Sequence, residues 1–215
     1  MPGKDRILIV FGGGHPCQAL AADFAKISKL FMGSRPTCLS TMHLRETMKI
    51  IGGPIVWGRD DLGRPREMVC SKNEQPFYQI LSSDMPNTIT RWLRDNAAKS
   101  KRGDRTIIIL IAHGATDGKI IFSFPTHMES LSRDDVERSL AKLSAGRLLL
   151  VNEACHSGEW TDLANKLTKH DVLVEAACPV NQLSYNHRSA SGELRCSYFW
   201  QCICYRHIHL SFRKS

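Results

Sequence analysis

Four short apolar runs, at residues 6–11, 105–112, 147–152 and 171–177, constrain the fold of this chain more than any other feature. The first three are continuous rather than alternating, which suits strands covered on both faces and not strands with one wet side. All are far shorter than the ~20 apolar residues that a membrane-spanning helix requires. Between them the period changes to that of a helix. Leu20, Phe24, Ile27, Leu30 and Phe31 place an amphipathic helix over 18–32, with Gly33 as its stop. A second helix is expected from Asn87, as N-cap, through Ile89, Trp92 and Leu93 to about residue 101, before Gly103. Ser132 begins a third, with Asp134 and Asp135 at the positive end of its dipole, and a fourth is expected over 161–169. Residues 119–124 read as a short strand, and 59–66 as an exposed loop open to cleavage. Strands alternating with helices predict an α/β fold, a mainly parallel central sheet with helices on both faces.

A chain of 215 residues with 42% hydrophobic content can form one core, so a single domain over 1–215 is expected. The formal charge of +8 is spread along the sequence and not gathered into a basic stripe with interleaved aromatics, which argues against nucleic acid as the partner. The apolar run after the basic start ends at Gly12, Gly13 and Gly14, too soon for a signal-peptide core, and no membrane partner is expected. A cytoplasmic location and reduced thiols for the eight cysteines follow as expectations. No cofactor is expected either. Gly12-x-Gly14-x-x-Cys17 lacks the third glycine of a dinucleotide site, and Leu39 and Ser40 stand where its acidic residue would fall. Cys202, Cys204, His207 and His209 form the densest group of soft ligands, but their spacing fits no standard zinc pattern.

In parallel sheets, reactive groups collect at the carboxyl ends of the strands. His113-Gly114 follows the second apolar run, and Glu153-Ala-Cys155-His-Ser-Gly158 follows the third. A cysteine nucleophile needs access, a base within reach and donors for the oxyanion formed on attack. Cys155 at a strand-to-helix turn suits the first need, His113 the second, and the amides of Gly114 and Cys155 the third. His156 is read as a solvated neighbour of Cys155, while Cys178 and Cys196 are read as packing thiols.

These two motifs in this order resemble the caspase-like cysteine peptidases, and Glu-Ala-Cys-x-Ser-Gly is most similar to the legumain, or asparaginyl endopeptidase, family. His113-Gly-Ala-Thr-Asp-Gly118 resembles that family's His-Gly-Ser-Thr-Gly segment, with Asp117 as an apparent insertion. The stretch from Val174 through Ala176-Ala177 to Ser184-Tyr185 resembles its substrate-lining strand. The resemblance implies a caspase-like three-layer sandwich and a peptide or peptide-like substrate, cut through a His113/Cys155 dyad and a thioester. It makes Glu153, Ser184, Tyr185 and His15 substrate-binding candidates. His15 stands where the family has an arginine after the first strand, and Leu194-Arg195-Cys196 lies where it has a second pocket acid. An acidic Glu153 implies asparagine or a basic side chain before the cut. Two alternatives stay open: acyl transfer to an amine, as in a ligase or cyclase, and a catalytically silent interaction module. Oligomeric state is not legible.

Overall fold

The computed structural model describes residues 3–12, 18–59, 62, 64–69, 78–123, 129–143, 146–167, 171–184, 186–188 and 194–197. In chain order the elements begin β1 (Asp5–Gly12), α1 (Gln18–Leu30), β2 (Thr37–Ser40), α2 (Leu44–Ile51), β3 (Ile55–Arg59), β4 (Pro65–Val69) and β5 (Tyr78–Gln79). They continue with α3 (Met85–Ala97), β6 (Arg105–Gly114), β7 (Ile120–Ile121), β8 (Ser130–Leu131), α4 (Arg133–Leu140) and β9 (Arg147–Asn152). The last are α5 (Asp162–Lys166), β10 (Asp171–Ala176), β11 (Asn186–Arg188) and β12 (Leu194–Ser197).

The main sheet runs β10-β9-β6-β1-β2-β5, with every neighbouring pair parallel. An antiparallel extension, β7 then β8, grows from the end of β6. Strand periodicity explains why the first three runs are apolar throughout. Leu8, Val10, Ile108, Leu110, Leu148 and Leu150 point to one face, where Met85, Ile89 and Leu93 of α3 and Val136 and Leu140 of α4 cover them. Ile7, Ile9, Phe11, Ile107, Ile109, Ile111 and Val151 point to the other, against Leu20, Phe24 and Ile27 of α1 and Leu44 of α2. Phe11 stacks on Phe24 with ring centroids 5.4 Å apart. The result is a three-layer α/β sandwich, helices on both faces of a mainly parallel sheet.

Several expectations are corrected in detail. Leu30 is 55% exposed, because at 100° per residue it sits about 90° from the centre of the stripe formed by Leu20, Phe24, Ile27 and Phe31. Gly33 does not stop α1, which ends at Leu30; it lies within the 3-10 turn Met32–Ser34 that follows, and that turn is closed by the left-handed Arg35 (φ 51). Helix α3 starts at Met85 after Asp84, and Pro86 rather than a side-chain cap at Asn87 marks its first turn, where a missing N–H costs nothing. Residues 59–66 join two strands, β3 and β4, in an antiparallel hairpin, with Leu62 exposed near its tip. Strand β10 is half-buried and leaves Leu173 exposed, since it stands at one end of the sheet order. The expected strand at 119–124 is only Ile120–Ile121.

Ser132 caps α4 as expected. Its side chain accepts from the Asp135 N–H while the Asp135 carboxylate accepts from the Ser132 N–H, a reciprocal capping box. At the amino ends of the strands, Arg6 pairs with Asp104 at 2.6 Å, remote from the carboxyl ends where the candidate site lies. No helix among the described residues is long and apolar enough to cross a membrane.

Candidate active site

Two adjacent parallel strands carry the site. β6 and β9 pair with Leu110 opposite Asn152, and the Glu153 N–H donates to the Leu110 carbonyl at 2.9 Å, so the residues after Asn152 run level with Ala112 to Gly114. His113 and Gly114 belong to β6 itself, because antiparallel pairing with Ile121 and Ile120 of β7 prolongs the strand. A tight turn joins β6 to β7. It is closed by Gly118 N–H to the Ala115 carbonyl and Ala115 N–H to the Lys119 carbonyl, both 2.9 Å, with Gly118 left-handed at φ +76. Asp117 lies in this turn, exposed, with its carboxylate 2.7 Å from the Lys119 ammonium.

Gly114 meets the cysteine turn backbone to backbone. A β-carbon at Gly114 would stand 2.0 Å from the Cys155 carbonyl oxygen and 2.9 Å from its nitrogen. Glycine is therefore required here by close approach, not by dihedral angle. The buried Asn152 shapes the chain just before the turn: its side-chain oxygen accepts the Ala154 N–H at 3.0 Å. His156, directly after Cys155, adopts φ 57, a conformation that bulky residues seldom take and that concentrates at functional sites.

The other wall is the segment that follows β10. His156 N–H donates to the Gln182 carbonyl at 2.9 Å, and the His156 ring Nδ1–H to the Val180 carbonyl at 2.9 Å. His156 is thus anchored to backbone and half-buried, not solvated as its sequence position suggested. A β-carbon at Gly158 would meet the Val180 nitrogen at 2.5 Å, so this turn too is in backbone contact with its neighbour. Cys178 is buried, with its sulfur 3.1 Å from the Gln182 carbonyl, 3.6 Å from the Ala154 carbonyl and 3.6 Å from Ser157 Oγ.

Cys155 is half-buried. Burial pushes its thiol above the usual range, a backbone hydrogen bond from Ser184 pulls it back, and the neighbouring Cys178 adds to the rise. A thiol in this setting stays protonated at neutral pH and becomes nucleophilic only once its proton is removed. Glu153 is 1% exposed.

Of the residues singled out in the sequence, the structure brings Gly114 and Ser184 each against Cys155, and His113 and Glu153 stand next to Gly114 and within two residues of Cys155 in the chain. His15 and Tyr185 lie outside the described residues, as do Cys202, Cys204, His207 and His209. Among the described residues no group of three or more His, Cys, Asp or Glu side chains could hold a metal ion. Sequence reasoning missed Asn152, Gly158 and the proximity of Cys178 to Cys155. The signal for Cys178 was its place just past the fourth apolar run, level with the cysteine turn once β10 pairs with β9.

The family model described as the Peptidase C13 family matches residues 68–207, about two thirds of the chain. No curated protein matches it significantly.

Proposed function

Starting from a chain that belongs to the peptidase C13 family, a family of cysteine peptidases, we propose that its single domain is an endopeptidase with Cys155 as nucleophile and His113 as acid-base partner. The observation that carries this reading is the close approach of Gly114 to Cys155, which sets the His113 strand end against the cysteine turn.

Cys155 Sγ attacks the scissile carbonyl carbon as His113 takes the thiol proton, because the buried thiol is not ionised beforehand. The carbonyl oxygen becomes an oxyanion and is held by the N–H groups of Gly114 and Cys155. Collapse breaks the C–N bond, His113 hands its proton to the departing amine, and a thioester remains on Cys155. Water, deprotonated by His113, attacks the thioester; the thiolate leaves and recovers its proton, and the acid product departs. In this reading Glu153 supplies the acidic group of the pocket for the residue before the cut, which selects asparagine or a basic side chain. Ser184 offers backbone to the extended substrate, with Tyr185 and His15 completing the binding cleft. Peptide or peptide-like chains are the substrates.

The test is hydrolysis of a quenched peptide library varied at the position before the cut, under reducing conditions. Cys155→Ala and His113→Ala are each expected to abolish cleavage, and Glu153→Gln to redirect it. Absence of cleavage by folded wild type would sink the endopeptidase reading. Retention of activity in His113→Ala would remove the dyad.

A further inference from the structure

Trp160 is fully buried and is the largest such side chain among the described residues. A buried indole needs an acceptor for its N–H. Here the acceptor is not in the core but in the turn of the β6/β7 hairpin: Nε1–H donates to the Gly118 carbonyl at 2.6 Å. The preceding residue reaches the same turn, since a β-carbon on Gly118 would stand 2.8 Å from Glu159 Cβ. Trp160 and Glu159 belong to the 3-10 turn Ser157–Thr161, which starts two residues after Cys155.

The hairpin that carries His113 is thus fastened to the segment that carries Cys155 at two points. One is the Gly114 to Cys155 backbone contact at its base. The other is the indole bond at its turn, whose outer residues Thr116 and Asp117 are exposed. A single contact fixes distance but leaves the hairpin free to tilt; two contacts separated along it fix the tilt as well. The 3-10 turn is itself braced from behind, where Arg133 donates to the Glu159 carbonyl at 3.2 Å.

We propose that Trp160 is a positioning residue for catalysis, its indole N–H holding the hairpin in the orientation that presents His113 and the Gly114 amide to Cys155. The inference rests on the roles given to His113 and Cys155 above. It concerns orientation, so it acts on the chemical step and not on substrate binding.

The test is Trp160→Phe, which keeps an aromatic ring and removes the donor, with replacement of Trp160 by 3-benzothienylalanine as an isosteric variant should the phenylalanine protein fail to fold. Peptide hydrolysis and alkylation of Cys155 by iodoacetamide are measured well below the melting temperature, in wild-type and His113→Ala backgrounds. A fall in kcat of roughly 10- to 100-fold with KM changed less than about twofold is expected, since misplacement by ~1 Å can cost that much. Alkylation slows in parallel, and neither replacement slows it further once His113 is alanine. Unchanged kcat and alkylation, or the same loss in both backgrounds, would overturn the proposal. His113→Ala behaving as wild type in hydrolysis and alkylation would instead overturn the dyad, and with it the premise.

Discussion

Replacement of Gly114 by alanine probes the close approach at the heart of the site. The added methyl carbon would lie 2.0 Å from the Cys155 carbonyl oxygen, whereas real β-carbons essentially never come within 3.0 Å of such an atom. The two backbones must therefore separate by about 1 Å, and neither is the far end of a flexible side chain that could swing aside. A displacement of ~1 Å between reacting groups costs about 10²-fold in rate, or ~2.7 kcal/mol of transition-state stabilisation. The same overpacking costs ~1–3 kcal/mol of folding stability. The assay is kcat/KM on the preferred quenched peptide, beside the urea midpoint, for wild type, Gly114→Ala and Gly33→Ala. The last is a control, because a β-carbon at Gly33 would meet nothing within 4 Å. Loss of activity confined to Gly114→Ala is expected. A Gly114→Ala protein within about threefold of wild type in kcat/KM would refute the claim that the strand end and the cysteine turn touch.

Three further outcomes are expected. Because burial raises the Cys155 thiol, alkylation of the free enzyme should keep accelerating through about pH 9; a plateau below about pH 7 would mean a resting thiolate and contradict the burial. Asp104 accepts from the Lys4 N–H, the Arg6 guanidinium and the Lys101 N–H, which together hold its carboxyl down to about 2. Its folded value lies below the unfolded one of ~3.9, so the stability it contributes is complete above about pH 4 and is lost as pH falls through about 2. Asp104→Asn should thus lower the melting midpoint near about pH 6 without changing kcat, and a gap from wild type that persists undiminished at about pH 2 would contradict the linkage. Ser132→Ala removes the capping side chain of α4 and should cost ~1 kcal/mol in urea unfolding with activity intact; no loss would mean the cap is idle.

Much of the architecture was legible because burial on both faces leaves a mark that needs no partner to be read: a strand sandwiched between helices must be apolar at consecutive positions, and residues 6–11, 105–112 and 147–152 are. Caps were legible where a side chain closes a local ring, as at Ser132. The short strands β2, β5 and β8 were not read as such, because two to four residues carry no period and owe their conformation to neighbours distant in sequence. Strand β10 shows the converse: its apolar run marks it as a strand, but only the sheet order reveals that it stands at one end and is half-exposed.

The sequence by itself determined the residue types of the candidate site and their order, His-Gly after one strand and Glu-Ala-Cys after another, since the chemistry of an imidazole, a thiol or a missing β-carbon belongs to the residue itself. Tertiary structure alone decided that these two strands are adjacent and level, that Gly114 touches Cys155, and that Cys178 stands beside Cys155. It also decided that the indole of Trp160 reaches Gly118 across 42 positions of chain. Such contacts depend on strand order and register, which many residues fix together through packing and no local pattern records.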